Sequence, residues 1–412
     1  MTAERSADPS TGDRQTGLTA RVVAAAVVLA LTAAACAGDG DRAGGGDGAG
    51  GAAITVDQVA SSPPEEGISA LNDPHHPDLP TSLVDLAEIV SGGPPPDGIP
   101  PIDEPRFEAA DAVDWLDDDE PVLAFTHQGD TRAYPVQILT WHEIVNDTVA
   151  GIPVTVTYCP LCNSAVAFDR RLDDRILDFG TSGKLYRSAL VMYDRQTESL
   201  WTHYTGQAVV GRLAGKVLEA LPVSTVSWED FRNAHPDGLV LSRQTGFDRD
   251  YGRNPYPGYD DVDTSPFLFE GEVDGRLAAK TRIVGVESGG DAVAITLDLL
   301  SERRVVPVTA GGQDLVVWWK PGTASALDSS RVADGRDVGA SGVLVPTVDG
   351  RTLHFEPAGD EFVDTETGTR WDVLGRAVSG PLEGRSLQAV PHVDTFWFAW
   401  AAYLPHTTVL AR

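Results

Sequence analysis

Blocks of sequence in one half of this chain recur in the other at fixed offsets, and that limits the possible folds more than any other feature. Val122-Leu-Ala-Phe125 corresponds to Ile283-Val-Gly-Val286 and Ala133 to Leu139 corresponds to Ala294 to Leu300, both at an offset of 161 residues. Tyr158-Cys-Pro-Leu-Cys-Asn-Ser-Ala-Val166 corresponds to Trp319-Lys-Pro-Gly-Thr-Ala-Ser-Ala-Leu327 at the same offset. Further on, Gly206-Gln-Ala-Val-Val-Gly211-Arg-Leu-Ala-Gly215 returns as Gly375-Arg-Ala-Val-Ser-Gly380-Pro-Leu-Glu-Gly384, and Leu218, Pro222 and Trp228 find Leu387, Pro391 and Trp397. One constant offset per block marks a repeated structural unit. The units read as short apolar runs separated by Gly, Pro and Asp, the pattern of strands and tight turns. The expected fold is mainly β with a few short helices (α+β by count), an internally duplicated antiparallel β-rich domain.

Within the first unit, Val122 to Phe125 and Arg132 to Tyr134 flank a turn at Gly129-Asp130. Pro135 can start a short helix running through Ile138, Leu139, His142 and Ile144-Val145. Leu190 to Tyr193 and Leu200-Trp201 read as a hairpin, and Ser227 as a helix cap. Before the units, Ser82 to Val90 keeps helical spacing at 83, 86, 87 and 90 within an otherwise Pro-rich stretch.

The N-terminus reads as an address. Arg21 precedes an apolar run from Val22 to Ala35, too short to span a bilayer comfortably, and the run ends in small residues before Cys36. This resembles a bacterial lipoprotein signal, which implies lipidation at Cys36, a cell-membrane location and a folded part outside the cytoplasm. The expected organisation is a signal peptide (1–36), a flexible Gly-rich tether (37–53) and a Pro-rich extension (54–98). A first β-rich copy (99–240), a structured interdomain loop (241–265) and a second copy (266–412) follow. With 61 acidic against 31 basic residues the net charge is −30. Such a surface repels phosphate backbones, so nucleic acid is not an expected partner.

Cys159 and Cys162 are the only cysteines of the folded region. The second unit has Lys320 and Thr323 at the aligned positions, so a strand-turn-strand can form there without sulfur. A disulfide across four residues removes little chain entropy, which argues for a chemical rather than a structural use. Three uses are open. Thiol-disulfide exchange needs two sulfurs within bonding reach, with Arg170, Arg171 or Lys184 to favour the thiolate. A metal site, one zinc or copper ion, would need Cys159, Cys162 and partners such as His142, His203 or His127. A single nucleophilic cysteine would take His142 or Glu143 as base. The redox use leads and requires no cofactor; its partner is an extracytoplasmic protein or a small molecule. Asn146 stands where a second zincin histidine would be, which excludes that motif, and neither a phosphate-binding Gly-rich loop nor a Gly-x-Ser-x-Gly elbow occurs. The 243–260 stretch, crowded with Arg and Tyr, offers Arg249, Arg253, Tyr256 and Tyr259 for a ligand or for holding the copies together.

Ala133-Tyr-Pro-Val-Gln-Ile-Leu-Thr-Trp-His-Glu-Ile-Val-Asn-Asp147, Thr157-Tyr-Cys-Pro-Leu-Cys-Asn163, Phe179-Gly-Thr-Ser-Gly183, Met192-Tyr-Asp-Arg-Gln-Thr-Glu-Ser-Leu-Trp201 and Ser242-Arg-Gln-Thr-Gly-Phe247 together resemble the family called Domain of Unknown Function 3179, over roughly Ile99 to Pro405. Some members resemble selenoproteins at the cysteine motif, which implies a redox-active sulfur here. A vaguer likeness of Gly375-Arg-Ala-Val-Ser-Gly-Pro-Leu382 to the closing strands of Rieske-type domains implies antiparallel β. The ligand pairs of an iron–sulfur cluster are absent from the sequence.

Overall fold

Pro135 and Glu143 set the local geometry of the first unit. Pro135, with φ −61°, ends the strand Asp130–Pro135 and starts the helix Val136–His142. Glu143 ends it in the left-handed region at φ 59°, its N–H on the Leu139 carbonyl at 2.7 Å. Ile144 and Val145 therefore leave the helix and begin the strand Ile144–Val149. The chain then passes through Ile152–Cys159 into Ser164–Asp169, strands buried on both faces. The computed structural model describes residues 52–412, so the signal peptide, Cys36 and most of the tether lie outside the described residues.

Strands predominate, with four short α-helices among the described residues. The strands Pro121–His127, Asp130–Pro135, Ile144–Val149 and Ile152–Cys159 have later counterparts: Arg282–Ser288, Asp291–Thr296, Val305–Ala310 and Gln313–Lys320. The helices Val136–His142 and Leu297–Arg303 fall at the same places in the two series, and every boundary is shifted by 161 residues. Sheet order matches as well. Leu239–Leu241, Asp130–Pro135, Pro121–His127 and Ser224–Ser227 lie side by side, as do Thr408–Leu410, Asp291–Thr296, Arg282–Ser288 and Val393–Phe396. In each set the first pair is parallel and the others antiparallel.

Matching side chains hold matching turns. Asp194 accepts from Thr197 and from Trp201 Nε1 (2.9 Å); Asp364 accepts from Thr367 and Trp371 Nε1 (2.9 Å). Glu198 in the first turn and Gly368 in the second take the left-handed conformation (φ 53° and 72°) that a turn of this shape requires.

The alignment fails at the cysteine turn. Cys159 pairs directly with Ser164, whereas Lys320 pairs with Ala340 after a long excursion. Thr323 lies in that excursion and is not the structural counterpart of Cys162, so the second half contains no sulfur-free version of the turn. The segment Ser82 to Val90 also departs from expectation. Only Leu86–Glu88 makes a 3-10 turn, and Ile89–Ser91 joins the edge of the sheet through Phe179–Tyr186. There the β-branched Ile89 and Val90 gain a partner strand, which outweighs a helix too short to stand alone.

The halves do not keep separate cores. One apolar cluster joins Cys159, Cys162, Phe179 and Trp201 to Phe396, Trp397 and Trp400; another joins Trp228 and Phe231 to Trp318, Phe362 and Trp371.

Near the outer end of the first sheet, Asp147 is fully buried and accepts from Arg132 Nη1 (2.6 Å) and from the Tyr134 hydroxyl (2.7 Å). Asp147→Ala would leave the buried Arg132 with Asp130 alone and the Tyr134 hydroxyl unpaired, and is expected to cost about 1–3 kcal/mol. The double variant Arg132→Met/Asp147→Leu is expected to recover part of that loss. Urea denaturation of the three proteins reads both outcomes.

Candidate functional site: a buried dithiol turn

The cysteine turn closes two buried strands, and its sulfurs are buried with it: Cys159 is 1% exposed and Cys162 0%. Both are free thiols. Burial raises the Cys159 thiol, but the Cys162 thiol and the backbone N–H groups of Cys162, Leu190 and Leu161 hydrogen-bond to its sulfur and bring it below its ordinary value. Cys162 moves the other way. Burial and the neighbouring Cys159 push it well up. The pair is thus unequal, the first sulfur giving up its proton more readily than the second.

Cys162 has a second neighbour. Its Sγ lies 2.9 Å from Ser164 Oγ, which lies 2.7 Å from His203 Nε2. His203 Nδ1 is 2.8 Å from the Thr157 hydroxyl, and that hydroxyl donates to the Val166 carbonyl. Thr157 therefore accepts from Nδ1–H, which leaves Nε2 free to accept from Ser164. The result is a continuous buried path from the Cys162 thiol to a neutral imidazole. Burial lowers His203 to about 3, so the ring is uncharged at neutral pH.

Glu143 belongs to the same neighbourhood. Its carbonyl accepts from Tyr158 N at 2.8 Å, and its carboxyl is held well above the usual range by burial and then by Cys159. At the corresponding place in the second half stands Arg304, also left-handed (φ 65°), which donates to the Trp319 carbonyl at 2.7 Å. The same backbone device thus presents an acid beside the dithiol in one half and a base-strand clamp in the other.

The 243–260 loop divides in two. Tyr259 reaches the turn, donating to the Leu161 carbonyl at 2.9 Å and accepting from Phe267 N at 3.2 Å. Tyr256 packs against the same apolar cluster as the cysteines, and burial raises its hydroxyl. Arg249 bonds only to its neighbour Asp248, and Arg253 is exposed beside Asp250.

Several expected site residues are used elsewhere. Arg170 is buried, but it binds Asp178 at 2.5 Å and the carbonyls of Val154, Leu177 and Asp147. Arg171 points outward and pairs with Asp169. Lys184 sits half-buried in the strand Phe179–Tyr186, paired with Val191 and Ser91. None of the three lowers the Cys159 thiol; the Cys162 thiol and backbone amides do so instead. His142 binds the Pro100 carbonyl and the Tyr251 hydroxyl, each at 2.6 Å, and burial lowers it to about 4. Among the described residues no group of three or more His, Cys, Asp or Glu side chains is placed to hold a metal ion. Nor is any described helix long and apolar enough to cross a membrane.

Ser164 was not singled out from the sequence, although a signal was there. On a strand, residues two apart share a face, so Thr157 lies on the side of Cys159, and Ser164, paired with Cys159 across the hairpin, lies there too.

Fold and site together define a class: an interlocked β protein with a buried, asymmetric dithiol at the tip of a central hairpin. The chain belongs to the family described as a protein of unknown function (DUF3179), which matches residues 96–407. No curated protein and no solved structure matches it.

His203 gives the site a pH signature. Between its ordinary value near 6.5 and its folded value of about 3, the unfolded chain binds a proton that the folded one does not. Stability is then expected to fall as pH drops below about 6.5, by up to about 1.4 kcal/mol per pH unit from this residue. Denaturation midpoints from pH 7 to 4 are expected to show a shallower fall for His203→Gln than for the wild type.

Proposed function

We propose that this chain is a thiol-redox protein in which Cys159 and Cys162 cycle between dithiol and disulfide. The observation that carries the reading is the opposed environment of the two sulfurs, with amides on Cys159 and a hydroxyl–imidazole path on Cys162. The Cys159 thiolate attacks a disulfide of an extracytoplasmic partner, forming a mixed disulfide and releasing one partner thiolate. Cys162, held by Ser164, then attacks Cys159 Sγ, and its proton leaves on the departing partner sulfur. The mixed disulfide breaks, the second partner thiol leaves, and two electrons have moved from the dithiol to the partner. The protonated Glu143 is the nearby acid for the departing thiolate.

Both sulfurs are covered, so exchange requires the Tyr256 and Tyr259 side chains to swing off the turn while Asp260 keeps the backbone beside it in place. We place the folded part outside the cytoplasm, tethered through lipid on Cys36, and we read the matched halves as products of duplication. The Cys36→Ser protein is expected to lose incorporated palmitate and to leave the membrane fraction.

The redox reading is tested on the full chain with 5,5′-dithiobis(2-nitrobenzoate). The wild type is expected to release two equivalents of thionitrobenzoate and retain none, because the second thiol resolves the adduct. Cys162→Ser is expected to release one equivalent and retain a mixed disulfide on Cys159, and Cys159→Ser to react at least about tenfold more slowly. Equal rates for the two single variants, or thiols that react only after denaturation, would sink the proposal. One equivalent of zinc or copper found by elemental analysis, and lost in either variant, would replace it with the metal reading.

A further inference from the structure

A second pair of reactive side chains joins the two halves. The strand Gln313–Lys320 is the counterpart of Ile152–Cys159 at the 161-residue offset, so its last residue, Lys320, stands where the first half has Cys159. At each place the chain is met by the start of a helix from the opposite half. Phe396, which precedes the helix Trp397–Tyr403, donates from its N–H to the Cys162 carbonyl at 3.1 Å. Asp230, in the first turn of the helix Trp228–Ala234, accepts from Lys320 Nζ at 2.5 Å. The two residues are 90 apart in sequence.

Three features set this contact apart from a surface ion pair. Its side chains are only 14% and 11% exposed, whereas the other lysine–carboxylate pair among the described residues, Lys216 with Asp173, is about half exposed. Its sequence neighbours Trp228, Phe231 and Trp318 belong to one buried aromatic cluster that neither cysteine enters. In such surroundings the neutral amine and acid lie nearer in energy to the ammonium and carboxylate than they do in water. A further carboxyl stands by. Asp372 is close enough for its charge to interact with that of Asp230, and burial raises it to about 6, so it exchanges protons near neutral pH. Its Oδ1 accepts from Arg376 N at 2.9 Å, while its buried Oδ2 has no partner. A buried oxygen left unpaired is costly and calls for a use.

We propose that Lys320 and Asp230 join as an intramolecular amide, a covalent staple between the two halves. A nitrogen in contact with Oδ1 lies within about 3.5 Å of Cγ, the separation of a near-attack pair. One proton passes from the ammonium to the carboxylate, Nζ bonds to Cγ, and a Cγ–O bond of the tetrahedral adduct breaks. Asp372 Oδ2 takes a second proton from the nitrogen and returns it to the departing oxygen, which leaves as water. An ammonium and a carboxylate thus become one amide and one water, and no oxidant is consumed. Ser227 Oγ donates to Asp230 Oδ2 at 2.8 Å and polarises the same carboxyl. The linked form also removes two opposite charges from a largely buried place, which favours it over the ion pair. This chemistry uses neither sulfur and does not depend on the redox reading.

Mass spectrometry of a tryptic digest of the full chain tests the link. The peptides carrying Asp230 and Lys320 are expected as one joined species, lighter than their sum by one water. Lys320→Arg keeps the ion pair but lacks a nucleophilic amine, and is expected to give two separate peptides. Asp230→Asn is expected to give the joined species at the wild-type mass, because ammonia leaves in place of water. Asp372→Asn is expected to lower the joined fraction of freshly made chain about tenfold or more. Separate peptides from the wild type, the result for an ordinary ion pair, would overturn the proposal. So would a joined species that persists in Lys320→Arg, and a full yield from Asp372→Asn would overturn the part given to that carboxyl.

Discussion

A tight turn buried in a protein core has to satisfy its own backbone, and the site follows from how this one does so. The Pro160 carbonyl accepts from Asn163 N, the Leu161 carbonyl from Tyr259, and the Cys162 carbonyl from both Phe396 N and the Thr395 hydroxyl. The N–H groups of Leu161 and Cys162 have the Cys159 sulfur instead of an oxygen. Orphaned buried amides are rare because they are costly. Sulfur is a weak acceptor as a thiol and a much better one as a thiolate. The demand of the backbone for an acceptor and the acidity of Cys159 are therefore one fact. Proline at 160 strengthens it by removing an amide that would otherwise need a partner.

The same bonds explain why the halves interlock. Phe396 and Thr395 belong to a strand of the second half, yet they complete the hydrogen bonding of a turn in the first. Tyr259, from the segment between the halves, completes the rest. Removing Tyr259 would leave the Leu161 carbonyl unpaired, and removing Thr395 or Phe396 would leave the Cys162 carbonyl one donor, so the turn acts as a keystone for chain segments distant in sequence. The second half has no such keystone. After Lys320 its chain opens into an excursion in which Ser325 and Arg336 hold the buried Asp260, itself bonded to Arg282. One half closes with sulfur and hydroxyls, the other with an ion-pair cluster.

Much of this was legible in the chain. The repeat offset placed five consecutive elements of the second half, because strand lengths and Pro or Thr before each helix fix local geometry. Ser227 does cap its helix, accepting from Asp230 N at 3.1 Å. What misled was chemistry inferred from proximity along the chain. Arg170 and Arg171 follow the cysteines closely, yet residue parity and the strand Arg171–Leu172 carry them to other partners. Thr323 aligned with Cys162 because an alignment of similar small residues cannot see an excursion that rejoins the sheet at Ala340. His203 was legible only as a candidate, since its approach to Ser164 depends on a sheet-to-sheet contact that no local pattern encodes.

Burial and reactivity pull against each other at this site, and the geometry indicates how both are kept. A thiolate withdrawn from water is normally unstable, which is why desolvation is the largest effect on both sulfurs. Fixed amides replace part of the lost water around Cys159 and offset its burial without a cation at the sulfur. Charge on Cys162 is supported only by Ser164, too little to offset burial and the neighbouring Cys159, so that sulfur gives up its proton less readily. Covering by Tyr256 and Tyr259 then serves selectivity. A small oxidant reaches the sulfurs only in the moments when the two rings swing clear, whereas a docked protein could hold them clear. Asp260 anchors the backbone of the cover, while the Tyr259 side chain is held to the turn by one hydroxyl bond worth about 1 kcal/mol net, weak enough for the ring to swing away and return.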